Sequence, residues 1–198
     1  RLDYPKVIER SRAVAQRLSG GIAFLMKKNK IEVIKGRGSL NADNTLQVSA
    51  PGGDTLNLAF QDIILAPGAA PRQWPGLEID GETVHTSRTI LELKRLPQKL
   101  LIIGAGAIGV EFAYFFQCLG TRVTLVEMLD QILPVEDAEI AAELQKSFLK
   151  LGIDVHTGCR ISALKQTGKV ISATLQLGAE EQRWSGDACL LAAGVIPN

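Results

Sequence analysis

The chain has 198 residues, 46% of them hydrophobic, and carries 22 basic against 21 acidic residues for a net charge of +1. That is enough apolar material for one large or two small domains without disulfides or metal. The even charge, with no basic stripe and no interleaved aromatics, argues against a nucleic-acid partner, and no apolar run approaches a membrane span.

Val7, Val14, Leu18, Ile22 and Leu25 recur at helical spacing. They predict a helix from about Pro5 to Lys28, weakened or bent at Gly20-Gly21. Ile31 to Ile34 reads as a short apolar strand before Gly36-Arg37-Gly38. Asn44 to Ser49 and Thr55 to Ala59 read as a hairpin around Pro51-Gly52-Gly53-Asp54. Gln61 to Ala66 is expected to be a buried strand closing at Pro67-Gly68. Pro71, Pro75, Gly76 and Gly81 mark the stretch from Ala69 to Gly81 as a domain boundary. Ser87 is placed to cap a short helix from Arg88 to Lys94.

Strand 100–103, helix 107–119 and strand 122–127 follow. Ile140, Leu144, Phe148 and Leu151 predict an apolar face on a helix from about Ala138 to Leu151. A strand at 153–156 leads to alternating strands near 160–166, 169–177 and 180–185, and Ala188 to Ala193 is a last buried strand. The fold class is therefore α/β, a Rossmann-like domain with a central parallel sheet and a β-meander. The first residue is Arg1, and the chain stops at Asn198 just after a strand, so both ends read as cut from a longer protein.

The chemistry lies in residues 101 to 127, where a strand, a glycine-rich turn, a helix and a second strand lead to an acid. The turn is Gly104-Ala105-Gly106-Ala107-Ile108-Gly109, and Glu127 stands 18 residues beyond Gly109. In that context the pattern points to a dinucleotide site. Gly104 permits the tight turn, Gly106 lets the backbone approach a pyrophosphate, and Gly109 allows the helix to pack on the strand. The first helical turn offers free N–H groups and a positive dipole end to the phosphates. Glu127 can accept from both hydroxyls of the adenosine ribose. No Arg follows it, the next residues being Met128, Leu129 and Asp130, so NAD is expected over NADP.

Cys118, Cys159 and Cys189 are scattered and form neither a C-x-x-C nor a zinc spacing. They read as reduced, mostly buried thiols in a reducing compartment, taken as the cytoplasm. Neither His85 nor His156 has a Glu five residues on, and both read as ordinary strand or loop histidines.

Three stretches carry a resemblance. They are Ile31 to Leu40, Ile63 to Arg72 (Ile-Ile-Leu-Ala-Pro-Gly-Ala-Ala-Pro-Arg), and Pro97 through Pro134, and Leu190 to Asn198 adds to them. Over its whole length the chain resembles the flavin-dependent disulfide oxidoreductases, and within them the dihydrolipoamide dehydrogenase branch. The resemblance implies that residues 1–70 are part of an FAD-binding domain and residues 71–198 an NAD-binding domain. It further implies that the FAD pyrophosphate turn, the redox disulfide and the catalytic His-Glu pair lie outside this chain. The isolated chain is then expected to be inactive, with no catalytic residue and no metal site of its own.

By the same resemblance, Gly104 to Gly109 with Val110 would hold the NAD pyrophosphate and Glu127 the adenine-side ribose. Glu111 would lie near the nicotinamide and the flavin; read as a residue alone, it is also a solvated helical acid. Ile161 would cover the adenine, and Gly194 would approach the nicotinamide end. For FAD, Gly38 would meet the adenine through its backbone. Pro67, Gly68 and Ala69 would stand at the first crossover, where Pro67 departs from the family by lacking a hydroxyl and an N–H. The implied partners are NAD(H), the missing FAD and dimerisation segments, and a homodimer within 2-oxoacid dehydrogenase complexes. A soluble transhydrogenase or another disulfide reductase is the alternative within that class, and a free-standing NAD-binding sensor the alternative outside it.

Overall fold

The computed structural model describes residues 3–74 and 77–198; Pro75 and Gly76, counted above among the boundary signals, lie outside the described residues. The chain divides into two compact units. One comprises residues 9–67, and the other comprises residues 68–198 with the start of the chain through Ile8.

Helix α1 runs from Tyr4 to Lys28, continuous through Gly20-Gly21. Within residues 9–67 it is followed by an antiparallel sheet of β1 (Arg37–Leu40), β2 (Thr45–Ser49) and β3 (Thr55–Ala59), in that order. The hairpin expected around Pro51 is the β2–β3 pair, with Ser49 opposite Thr55. Two expected strands are not formed. Ile31 to Ile34 is irregular, and so is Gln61 to Ala66, where Ile64 is 93% exposed. A strand needs a neighbour to complete its ladder, and neither stretch has one among the described residues. Three of the five apolar residues that suggested the helix face outward, Leu18 at 63%, Ile22 at 57% and Leu25 at 51% exposure, while Val7 and Val14 are half-buried.

The larger unit holds β4 (Ala69–Pro71), β5 (Val84–Thr86), a 3-10 turn (Thr89–Glu92), β6 (Lys99–Ile103), α2 (Ala107–Cys118), β7 (Arg122–Val126), α3 (Ala138–Lys150) and β8 (Asp154–His156). After these come β9 (Cys159–Thr167), β10 (Val170–Leu177), β11 (Glu180–Gly186), β12 (Ala188–Leu191) and β13 (Val195–Pro197). The central sheet has the order β5-β12-β6-β7-β8 with every pairing parallel. The meander β9-β10-β11 is antiparallel, with a register shift at Thr174/Leu175. The expected α/β class, parallel sheet and meander are thus present.

Successive strand residues point to opposite faces, and the central sheet buries both. On one face Leu100, Ile102, Val123 and Leu125 pack with Val110, Ala113 and Phe116 of α2, Phe148 of α3 and Tyr4. On the other, Leu101, Ile103, Val126, Cys189 and Leu191 pack against Ile171, Ala173 and Leu175 of the meander.

Three local details differ from expectation. Ser87 does not cap the turn that follows it. The residue at the N-cap position is Arg88, which makes no side-chain capping bond, and the Thr86 hydroxyl at the end of β5 accepts from the N–H groups of Arg88 (3.3 Å) and Thr89 (3.4 Å) instead. The inward face of α3 is Ala141, Leu144 and Phe148, while Ile140 is 64% exposed; the small Ala141 lets the helix lie close, and Ile140 falls outside the packed stripe. Residues 69–71 and 195–197, read as boundary and tail, pair with each other as β4 and β13. Among the described residues no helix is long and apolar enough to cross a membrane.

Candidate functional site

The parallel strands β6 and β7 deliver the glycine turn and Glu127 to the same edge of the sheet, because Ile103 and Val126 are register partners. The turn then folds against two neighbours. The Gly104 N–H donates to the Val126 carbonyl at 2.8 Å. Gly104 has φ +99, and a Cβ there would stand 2.6 Å from the Ala192 carbonyl oxygen, so both conformation and space require glycine. A Cβ on Gly109 would collide with the Gly104 carbonyl oxygen, so helix and turn touch backbone to backbone.

Gly106 differs. A Cβ there would meet nothing within 4 Å. The residue serves as the N-cap of α2 with no side chain capping the helix. In contrast, α3 is capped by Asp137, whose carboxylate accepts from Glu139 and Ile140. The first turn of α2 therefore presents its N–H groups and the positive end of its dipole to open space, an arrangement that suits an anion.

Glu127 is nearly buried, at 9% exposure. Its Oε2 accepts from the Ala105 N–H at 2.8 Å and its Oε1 from the Leu129 N–H at 3.0 Å. Its own backbone is fixed too, the N–H donating to the His156 carbonyl at 2.8 Å and the carbonyl accepting from the Cys159 N–H at 2.9 Å. A carboxylate has about four lone-pair positions. Two are taken by these backbone donors, and the remainder can accept from a pair of ribose hydroxyls.

These groups share a cleft of roughly 630 Å³, within the size range of small-molecule sites. Gly104, Gly106, Ala107, Ile108 and Glu127 of the glycine-turn pattern line it, together with Ile161 and Gly194, which the family resemblance names. Ala105, Gly109 and Val110 are buried behind it and act on its shape. The Ala105 carbonyl, for example, accepts from Leu133 at 2.7 Å and holds the loop after β7. Glu111 is exposed on α2 and is not part of the cleft wall. The cleft also excludes the four residues assigned to FAD. Gly38 lies in β1 and Pro67 ends the same unit. Gly68 (φ +76) accepts from the Asn198 N–H at 3.1 Å, and the Ala69 carbonyl accepts from Arg88 Nη2 at 2.9 Å.

Sequence reasoning missed part of the wall. Trp74, Met128, Pro134 and Arg160 also line the cleft. Met128 follows the acid directly and Arg160 precedes Ile161, so both were adjacent to noted positions. Trp74 comes from the segment read as a boundary, with no local signal pointing to it. Arg160 is the one cation among the lining residues. Among the described residues no group of three or more His, Cys, Asp or Glu could hold a metal ion.

The sequence profile of the pyridine nucleotide-disulphide oxidoreductases matches residues 2–198. The dihydrolipoyl dehydrogenase of Chlorobaculum tepidum is 39% identical over 194 residues, which cover 98% of this chain and 41% of that protein. That of Zymomonas mobilis is 40% identical over 200 residues, covering 99% and 42%. Among solved structures, LpdA from Mycobacterium tuberculosis matches with a TM-score of 0.90 at 29% identity, covering 100% of this chain and 44% of that one. The HOCl-induced flavoprotein disulfide reductase RclA from Escherichia coli matches with a TM-score of 0.81 at 28% identity, covering 100% and 44%. The chain thus spans about two fifths of the length of the relatives it matches.

Proposed function

Because the chain belongs to the pyridine nucleotide-disulphide oxidoreductase family, we propose that it carries the NAD(H) site of a flavin-dependent dihydrolipoyl dehydrogenase. Residues 71–198 form the NAD-binding domain in this reading, and residues 1–70 belong to the FAD-binding domain. Bound NAD and FAD supply the redox chemistry, a dithiol being oxidised to a disulfide as NAD+ becomes NADH. The chain's own residues bind and orient the nucleotide.

The observation that carries the reading is the pairing of an open glycine with an acid across one cleft. Gly106 leaves room for a pyrophosphate at the uncapped helix start, and the Glu127 carboxylate keeps acceptor positions for the adenosine ribose. The residues present fit an adenine dinucleotide on both counts. Ile108 and Ile161 supply apolar wall for the rings.

Arg160 favours a second reading, in which the cleft takes a nucleotide with a ribose 2′-phosphate. Against it, a 2′-phosphate would face the Glu127 carboxylate, and like charges at close range repel. The experiment is backbone NMR of the chain during titration with NADH. Shifts at Gly104, Gly106, Ile108, Met128 and Gly194 are the expected result. Shifts confined to residues outside the cleft would contradict the site.

A further inference from the structure

The cleft has one aromatic side chain among its lining residues, Trp74. The backbone is anchored on both sides of it. Before it, Pro71 stands opposite Val195 in the β4–β13 pair, and the Arg72 N–H donates to the Gly194 carbonyl at 3.1 Å. After it, the Leu77 N–H donates to the Trp74 carbonyl at 3.2 Å. The indole packs on the apolar face that the central sheet shares with the meander, and it stays half-buried at the cleft wall. Among the described residues no other aromatic ring lies against it.

Strand order locates Trp74 along the cleft. Leu191, Ile103 and Val126 are in register across β12, β6 and β7, so the residues that follow them leave the sheet at one edge. Strand β12 is two strands from β7, about 10 Å at the usual strand spacing. A neighbouring cavity of roughly 210 Å³ is lined by Trp74 with Arg72, Gln73, Leu191 and Ala193. Its walls include the end of β12 and no residue of β6 or β7, which puts the indole at the β12 end. Along the cleft the order is then Glu127, the glycine turn, and Trp74 beside Gly194. The charged residues of the wall, Glu127 and Arg160, lie at the far end, where the Cys159 N–H donates to the Glu127 carbonyl.

We propose that the Trp74 indole is a binding residue for the nicotinamide ring, stacking on it and fixing it at the β12 end of the cleft. The inference rests on the nucleotide reading above. With the adenosine ribose on Glu127 and the pyrophosphate at the start of α2, the other half of the dinucleotide falls at the Trp74 end. The nicotinamide ring is planar and heteroaromatic, and such rings stack offset on an indole. The rest of the wall there is small and apolar, with Ala192, Ala193, Gly194 and Val195. Trp74 is the one side chain at that end with a ring face to offer.

The test compares NADH with ADP-ribose, which keeps the adenosine and the pyrophosphate but lacks the nicotinamide ring. Both are titrated calorimetrically into the chain and into its Trp74→Ala and Trp74→Phe variants. The expected result is that Trp74→Ala weakens NADH about tenfold, the size of a lost ring stack, and leaves ADP-ribose unchanged. Trp74→Phe should recover most of the NADH affinity. Unchanged ADP-ribose binding also shows that the variant has folded. A second measurement needs no variant and holds even if Trp74→Ala does not fold. In the complex of the parent chain with NADH, the indole protons should give NOEs to the nicotinamide protons and none to the adenine. Equal weakening of both ligands, NADH affinity unchanged by Trp74→Ala, or indole NOEs to the adenine would overturn the proposal. Failure of ADP-ribose to bind the parent chain would overturn the nucleotide reading itself, and the proposal with it.

Discussion

Glu127 Oε2 accepts a hydrogen bond from the Ala105 N–H at 2.8 Å, which ties the end of β7 to the glycine turn after β6. The acid proposed to hold the ribose is thus also a strut of the turn proposed to hold the phosphates. Glu127→Gln separates the two roles poorly, since an amide cannot accept from both Ala105 and Leu129 without turning its NH2 toward one of them. The expected result is a loss of stability of about 1–3 kcal/mol from a buried donor left unpaired, measured by urea denaturation, together with weakened NADH binding.

The glycines of the turn should fail in different ways. Gly106→Ala adds a methyl that meets no protein atom, so thermal stability should be unchanged while NADH affinity falls. Gly109→Ala drives a methyl into the Gly104 carbonyl, and should lower stability by about 1–3 kcal/mol through overpacking. Equal destabilisation by both would show that the room at Gly106 is not there.

Much of the site was legible in the sequence because its signals are local. Gly104, Gly106, Gly109 and Glu127 act through backbone conformation and strand position, both written at short range. What stayed hidden depends on contacts between distant segments. Trp74 reaches the cleft from a stretch that reads as a boundary, and β4 exists only because residues 195–197 return to pair with it. Ile64 and Leu65 have the composition of a buried strand, yet are exposed where no ladder partner stands among the described residues. Ile140 fits the helical period but lies beyond the width of the packed stripe, which Ala141 occupies.

His85 is fully buried in β5 beside Leu190, and among the described residues neither ring nitrogen has a hydrogen-bond partner. Burial pushes its pKa down, against the opposing pull of the Glu82 backbone and the Asp80 carboxylate. The unfolded chain therefore binds this proton more readily than the folded one. Stability should fall as pH drops below the ordinary imidazole value of about 6.5, and the loss should level off below the depressed folded value. His85→Leu should remove that dependence and, by replacing an unpaired polar group, leave stability at pH 7 equal or higher. Urea midpoints between about pH 7.5 and pH 5 measure both effects.

Asp80 shows the opposite sign. Partial burial works against its charge, but bonds from the N–H groups of Val84, Thr83 and Glu82 and from the Thr83 hydroxyl outweigh it and hold the carboxyl well below its usual range. Gln166 of the meander donates to the same carboxylate at 2.6 Å. Its stabilising effect should be complete above the unfolded value of about 3.9 and vanish as pH falls through the folded one. Asp80→Asn should therefore be less stable than the parent chain at neutral pH, with the gap closing in strong acid. A gap independent of pH would show that these bonds do not depend on the charge.

The account rests on Glu127 reading an unphosphorylated ribose beside an open phosphate turn. Calorimetric titration of the chain with NADH and with NADPH, repeated with Glu127→Ala, tests this most directly. The account predicts tighter binding of NADH, and a loss of about 1–3 kcal/mol for NADH alone when the carboxylate is removed. Binding of NADPH as tight as or tighter than NADH would contradict it and would assign the decisive contact to Arg160.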